Sequence, residues 1–266
     1  MNWRPRRHRY WECRSTERVE AGNALNEFGW WARWARPFTP FRGAFGLTSR
    51  EFDEPLFNRV IFLDPPASPK RAVEEALAKF NSRGAKPSFF VEESPSYASA
   101  REAVEGAGLR RTGRFLILQK RKPSSETKSI EVRKSLRKDL DSWAQAYIEA
   151  FYGRRGPLDE VSRCAKRAIA DGKNSLLLAE SDGVPAGTAA IRLEAGYLGV
   201  YCVGTVPKMR RRGVAGSLLA YAERTASEAG VTTILQVFEN DEVESYYTKR
   251  GFRRAFSEEI FTGPDG

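Results

Sequence analysis

Three consecutive arginines, Arg210, Arg211 and Arg212, run directly into Gly213-Val214-Ala215-Gly216-Ser217. Before them, Tyr197–Val206 reads as a strand stopped by Pro207. After them, Leu218, Ala222, Ala226 and Ala229 share one face of a helix that ends at Gly230. A strand, a basic glycine-bearing turn and a helix in that order suit a pyrophosphate. The first amides of a helix have no internal acceptor, and they sit at the positive end of its dipole. Gly213 and Gly216 let the backbone approach closely, and the guanidinium groups add charged donors. The plainer alternative is a basic, solvent-facing helix start. A second pair, Asn240 and Tyr247, lies on a helix predicted over Asn240–Arg250 and closed by Gly251. A phenol there can donate a proton while neutral at ordinary pH; alternatively, it packs on Phe252.

The stretch Arg210–Ala215 resembles the Gln/Arg-x-x-Gly-x-Gly/Ala motif of the GNAT superfamily of acyl-CoA N-acyltransferases. Thr205-Val206-Pro207 stands where that family commonly has Val-x-Pro. Asp182-Gly183 and Gly187 fit its hairpin, and Asn240 through Tyr247 to Gly251-Phe252 resembles its closing motif. The resemblance covers about residues 128–266. It implies a mixed central α/β sheet, acetyl-CoA as cosubstrate, no metal, and direct attack of a primary amine in a ternary complex. It further implies that the Val203 backbone N–H meets the acyl carbonyl and that Thr205 pairs with the pantetheine arm. Arg210, Arg211, Arg212, Gly213, Val214, Ala215, Gly216 and Ser217 would form the pyrophosphate cradle. Asn240 would bond the pantetheine or substrate side, and Tyr247 would act as general acid at the sulfur.

Acyl transfer also needs a group to take the proton from the amine. Many relatives carry a glutamate on the strand before the cradle, but Gly199-Val-Tyr-Cys-Val203 has no carboxylate. Glu194, at the end of the preceding strand, is the expected base, acting through a water. Tyr197, Tyr201, Glu149 and Glu160 are alternatives. Cys202 could form an acyl-enzyme, against the plainer reading of a small buried strand residue. Glu239, Asp241, Glu242 and Glu244 either favour a helix start or attract a cationic amine.

These residues need a scaffold. Strands are predicted at Ser129–Lys134, Leu176–Glu180, Val184–Leu193, Tyr197–Val206, Thr232–Phe238 and Phe252–Phe261, with further helices over Leu136–Tyr152 and Leu158–Asp171. In the first half, strands are predicted at Leu56–Leu63, Pro87–Glu93 and Arg114–Gln119, with helices over Pro69–Ser82 and Ala98–Gly106. This strand-helix-strand-helix-strand order repeats that of the C-terminal end. Gly108-Leu-Arg-Arg111 and Gly251-Phe-Arg-Arg254 echo each other after the last helix of each half. The organisation expected is two tandem related domains: 1–121, a degenerate acyltransferase-like unit with a basic N-terminal segment; 122–127, a linker; and 128–266, the catalytic unit. The first half's counterpart of the cradle, Asp64-Pro-Pro-Ala-Ser-Pro-Lys70, loses three amide donors to proline.

The net charge of +10 is uneven: residues 1–127 hold 23 Lys/Arg against 15 Asp/Glu, and residues 128–266 hold 21 against 19. The excess therefore lies away from the cradle. The single histidine, His8, and three cysteines without metal-ligand spacing speak against a zinc site or disulfide framework. No apolar run spans a bilayer, and a cytoplasmic protein is expected, with an amine-bearing acceptor as partner and a homodimer open. An Arg-rich presequence is weighed against Glu12, Glu17 and Glu20. Arginines interleaved with Trp3, Tyr10, Trp11, Trp30, Trp31 and Trp34 leave a second class open: a nucleic-acid- or ribosome-associated basic protein carrying an acyl-CoA-binding module. The helical spacing of Trp30, Trp31 and Trp34 favours a core role over base stacking.

Overall fold

Buried apolar runs such as Leu176–Ala179 and Ala186–Ile191 cannot show the alternation of a half-wetted strand, because both of their faces are covered. They become adjacent strands of one sheet. The computed structural model describes residues 15–123, 130–153 and 156–263, with side chains from residue 21. The chain runs α1 (Ser15–Trp31), β1 (Arg36–Phe38), β2 (Ala44–Thr48), β3 (Arg59–Phe62), α2 (Pro69–Asn81), β4 (Ser88–Glu92), α3 (Ala98–Gly106) and β5 (Arg110–Lys120). It continues with β6 (Glu131–Lys134), α4 (Leu140–Phe151), α5 (Leu158–Ala170), β7 (Asn174–Ser181), β8 (Val184–Glu194) and β9 (Tyr197–Thr205). Last come α6 (Val214–Glu228), β10 (Thr232–Phe238), α7 (Asp241–Lys249) and β11 (Arg253–Thr262). This is the expected mixed α/β class.

The eleven strands among the described residues join one sheet in the order β1-β2-β3-β4-β11-β5-β10-β9-β8-β7-β6. The sheet crosses the division expected at 122–127. Strand β5 of the first half sits between β10 and β11, and β11 of the second half sits between β4 and β5. Each half lends its last strand to the other, so the β5–β11 ladder, from Arg253↔Gln119 to Thr262↔Arg110, locks the two together. The echo seen in sequence has a shared cause. Gly108 (φ 89°) and Gly251 (φ 86°) are both left-handed. The next residue's amide reaches back to close the helix: Leu109 to Val104 O at 3.4 Å, and Phe252 to Tyr247 O at 3.1 Å.

The hairpin between β7 and β8 turns on Asp182 (φ 53°) and Gly183 (φ 74°), the left-handed pair that a tight hairpin needs. Helix α5 buries Val161, Cys164, Ala165 and Ala168, the expected three- and four-residue stripe. In α4, the indole of Trp143 is fully buried and donates to Leu177 O at 3.1 Å and Ala189 O at 3.2 Å, which pins the helix to β7 and β8. Truncating such a tryptophan to alanine typically costs about 3–5 kcal/mol.

Helix α1 and strands β1 and β2 have no counterpart in the sequence reading. Trp30, Trp31 and Trp34 are core residues, 0%, 5% and 2% exposed, so they offer no platform for stacking bases. Trp3, Tyr10 and Trp11 lie outside the described residues. The same face of α1 also buries polar groups. Asn26 Nδ2 bonds the carbonyls of Arg192, Glu194 and Tyr197 at 3.1–3.2 Å, and Asn26 Oδ1 accepts the Tyr201 hydroxyl at 2.8 Å. Because Asn23, Asn26 and Glu27 occupy the buried face beside the tryptophans, α1 has no simple apolar stripe, which is why its period does not stand out.

Candidate active site

Strands β9 and β10 are parallel and paired from Thr232↔Tyr197 to Leu235↔Val200. Beyond that point both continue, β9 to Thr205 and β10 to Phe238, without pairing. The two strands therefore splay, and the β10-facing edge of Tyr201–Thr205 meets no strand among the described residues. On its other side β9 pairs with β8, but the register slips: Ala190 faces Tyr201 and Thr188 faces Gly204, leaving Cys202 and Val203 opposite Ala189 alone. This is a β-bulge, which removes a residue from the ladder and re-aims its backbone. Cys202 carries the strain, with a left-handed φ of 55°, a conformation that costs a non-glycine residue about 1–2 kcal/mol. Val203 sits in the bulge and Thr205 at the open end, both half-buried.

Past Val206 the chain makes one tight turn over Pro207–Met209 and enters the cradle. Arg211 (φ 62°) and Gly213 (φ 82°) are both left-handed, and Gly213 caps α6. The helix's first internal bond runs from the Ser217 amide to Gly213 O at 2.9 Å. The amides of Val214, Ala215 and Gly216 are thus the unsatisfied donors of the first turn. Arg210, Arg211 and Arg212 are exposed around them, and no carboxylate of a described residue pairs with any of the three. The cradle combines free amides, a dipole and three solvated cations.

Two of the expected residues stand differently from the sequence reading. Ser217 does not face a phosphate: its amide is bonded to Gly213 and its hydroxyl accepts the Ile130 amide at 3.2 Å. Asn240 caps α7, its Oδ1 accepting the amides of Glu242 and Val243 at 3.0 and 3.1 Å. Only its amide hydrogens remain for a ligand. The acidic residues Asp241, Glu242 and Glu244 fall in the first turn of α7, the favourable end of its dipole.

Tyr247 is buried on α7, with its ring edge-on to Phe252 at 5.6 Å and to Tyr246 at 5.3 Å. Its hydroxyl has no hydrogen-bond partner among the described residues. Burial, and to a lesser degree the neighbouring Tyr246, hold its pKa above the usual phenol value, so it remains a proton donor at any ordinary pH.

Glu194 cannot be the base. It sits at the far end of β8, opposite Tyr197, whereas the splay opens at the end opposite Gly187. Seven residues of strand separate them, about 23 Å at 3.3 Å per residue. Its carboxylate is also occupied, by Lys173 on one oxygen and by Arg192 Nε at 2.8 Å on the other. Of the other groups weighed for the role, Tyr197 stands opposite Glu194 at the same far end, and the remaining three have partners of their own. Tyr201 is buried and bonded to Asn26, Glu149 accepts from Gln145 at 3.2 Å, and Glu160 pairs with Arg163 at 3.1 Å. Burial raises the Cys202 thiol far above its ordinary range, which removes the thiolate an acyl-enzyme would need.

A cleft of about 430 Å³ is lined by Glu51, Phe52, Asp53 and Glu54 of the first half and by Tyr152 and Pro157 of the second. Tyr152 donates to Glu54 Oε1 at 3.0 Å, and its ring lies 6.2 Å from that of Tyr147. That the halves share a cleft is not legible locally, because nothing in the 51–57 stretch predicts contact with α4. Among the described residues, no group of three His, Cys, Asp or Glu side chains is set to hold a metal ion, and no helix is long and apolar enough to cross a membrane.

Residues 140–263 match the model of the acetyltransferase (GNAT) domain. No curated protein matches the sequence. Among solved structures, a GCN5-related N-acetyltransferase from Kribbella flavida shares the fold at a TM-score of 0.69 and 18% identity, covering 95% of this chain and 96% of its own. A functionally unknown conserved protein from Staphylococcus epidermidis aligns at 0.64 and 12% identity, over 87% and 95% of the two chains. A GCN5-related N-acetyltransferase from Sphaerobacter thermophilus aligns at 0.62 and 15% identity, over 84% and 79%. At these identities the structures speak to fold alone, and the Kribbella flavida alignment runs through both halves. The splayed strands, the bulge and the arginine-glycine cradle all lie within the matched segment, and residues 140–263 form an acetyltransferase domain of the GNAT family.

Proposed function

We propose that the protein transfers an acetyl group from acetyl-CoA to a primary amine by direct attack in a ternary complex. The observation that carries this reading is the splay of β9 from β10 directly before the cradle. It gives an extended pantetheine arm a free strand edge and gives the pyrophosphate a ring of amides. In this reading the acyl carbonyl accepts from the Val203 N–H as negative charge develops. The amine enters by the cleft of Glu51, Asp53 and Glu54, and Glu54 takes the proton that leaves the nitrogen. The C–N bond forms, the C–S bond breaks, and the departing sulfur takes a proton from Tyr247. Solvent reprotonates Tyr247 and accepts the proton held by Glu54. The test is an amine-acceptor screen with acetyl-CoA that follows thiol release, preceded by calorimetry of acetyl-CoA binding. The reading fails if acetyl-CoA does not bind.

A further inference from the structure

The chemistry above leaves unused a group of buried charges beneath α1. Arg59 of β3 is fully buried, ion-paired to Glu27 of α1, and its guanidinium lies over Phe90 at 4.5 Å and Phe115 at 5.6 Å. Glu27 also accepts from Gln236 Nε2 at 2.7 Å and Asn23 Nδ2 at 3.4 Å. Gln236 is the first residue of β10 past its last pairing with β9, so this group reaches the vertex of the splay. Beside it stand Glu258 of β11 and Glu92 of β4, directly paired across two strands and each 8% exposed. Glu258 Oε2 is buried without a hydrogen-bond partner. A buried oxygen left unmatched is costly and calls for an explanation. Two carboxyls directly opposite one another in a sheet also disfavour ionisation of both.

The register gives the distance from this group to the acyl site. Glu92, Glu258, Phe115 and Phe238 form one rung across β4, β11, β5 and β10, and Phe238 borders the open splay. With strands about 4.8 Å apart, Glu258 lies about 10–14 Å from the gap where the thioester would sit. The rung leads from the reaction centre past two aromatic rings to a carboxyl without a partner.

We propose that the acceptor is an elongated dication, with one amine at the thioester and a second ammonium seated at Glu258 and Glu92. The inference rests on the acyl-transfer reading and names the substrate class of that same site. An aliphatic chain advances about 1.25 Å per bond of about 1.5 Å, so about eight to eleven bonds span the gap. The distal ammonium would supply the donor that Glu258 Oε2 lacks and lie against the face of Phe115. Burial and the nearby charge of Glu27 raise the Glu258 pKa well above its ordinary value, with Glu92 adding to this and Arg59 opposing it. A cation seated there favours the ionised carboxyl, so binding is expected to release protons.

The experiment is calorimetry on the full chain loaded with CoA. The probe is 1,8-diaminooctane, whose two nitrogens are nine bonds apart, with 1-aminooctane as the matched amine lacking the second charge, each titrated in two buffers of different ionisation enthalpy. The diamine should bind at least tenfold more tightly than 1-aminooctane, with greater proton release. Glu258→Gln should erase the difference and the release while leaving acetyl-CoA affinity unchanged. Glutamine replaces a carboxyl of the same shape, so this variant should fold; Glu92→Gln repeats the test if a melt shows that it does not. Equal binding of the two amines, or equal weakening of both by Glu258→Gln, overturns the dication. Acetyl-CoA binding without binding of the diamine overturns it and leaves acyl transfer standing. Failure of acetyl-CoA itself to bind removes the reading on which both depend.

Discussion

Two units of this molecule, β3–α2–β4 and β9–α6–β10, share a parallel strand-helix-strand path, with the exchanged strands β11 and β5 lying between them in the sheet. They differ at the positions a phosphate would touch. Helix α6 opens on left-handed Gly213 with three arginines before it and three free amides after it. Helix α2 opens on Ser68, with Pro69 in its first turn, and Pro65 and Pro66 lie in the approach. Pro69 has no N–H, so the first turn of α2 is one donor short before any ligand arrives. Upstream of the cradle, β9 bulges at Cys202–Val203, whereas β3 pairs with both β2 and β4 without a register slip. A shared path thus gives a helix start in the same place, but the capping residue and the strand before it decide whether that start can hold an anion.

The sharpest way to break this comparison is to give α6 the handicap of α2. Gly213→Val forces a β-branched residue into a left-handed conformation and puts a side chain where the pyrophosphate would lie. Strain of about 1–2 kcal/mol combined with the lost contacts should weaken acetyl-CoA binding about 100-fold or more. Calorimetry should also show one acetyl-CoA per chain in the unaltered protein. A second site would mean that α2 binds CoA despite its prolines.

Next in size is Tyr247→Phe, which keeps the ring packed on Phe252 and removes only the hydroxyl. Turnover should fall about 10- to 1000-fold, in keeping with loss of a positioned proton donor, while acetyl-CoA affinity stays within about twofold. A fall in turnover without a fall in affinity marks a role in the transition state. Equal losses in both would make Tyr247 a packing residue.

Single Arg210→Ala, Arg211→Ala and Arg212→Ala substitutions test the charged part of the cradle. All three side chains are exposed, so water screens them, and each contributes about 1 kcal/mol at most. Each variant should lose about threefold to fivefold in acetyl-CoA affinity, and less in high salt. Lys70→Ala, in the corresponding loop before α2, should change nothing measurable.

The parts of this structure legible in sequence are those governed by neighbours in the chain. The β7–β8 hairpin follows from Asp182-Gly183, the cradle from Gly213 and its arginines, and the matching helix ends from Gly108 and Gly251. What depended on distant partners was hidden. Nothing local in Arg110–Lys120 says that it will pair with both β10 and β11. Helix α1 buries Asn26 and Glu27 on the same face as Trp30, so polar residues within the buried stripe blur its period. Ser217 and Asn240 match the family motif by position, yet their hydrogen bonds go to Ile130 and to the start of α7. Glu194 looked close to the site because it precedes β9 in sequence, but an antiparallel strand places it at the opposite end.

That correction yields the smallest expected effect. Glu194, Arg192, Asp171, Lys173 and Arg33 form one network at the closed end of β8 and β9. If Glu194 serves only there, Glu194→Gln should leave turnover unchanged and lower the melting temperature by about 2–4 °C, equivalent to about 1 kcal/mol in a chain of this size. The same network predicts an acid-side dependence of stability. Burial works to raise the Asp171 pKa, but hydrogen bonds from Arg192 and Arg33 outweigh it and bring it from 3.8 to about 2. A carboxylate whose pKa is lower in the folded state stabilises fully above its unfolded value and loses that contribution as the pH falls towards its folded one. Between pH 4 and pH 2 the unaltered protein should therefore lose about 2 kcal/mol through Asp171, and Asp171→Asn should flatten that part of the curve. Denaturant melts across this range measure the slope, and thiol release at neutral pH measures turnover. A Glu194→Gln variant that melts normally but turns over slowly would restore Glu194 as the base and require the splay to be reached from the other end of the strand.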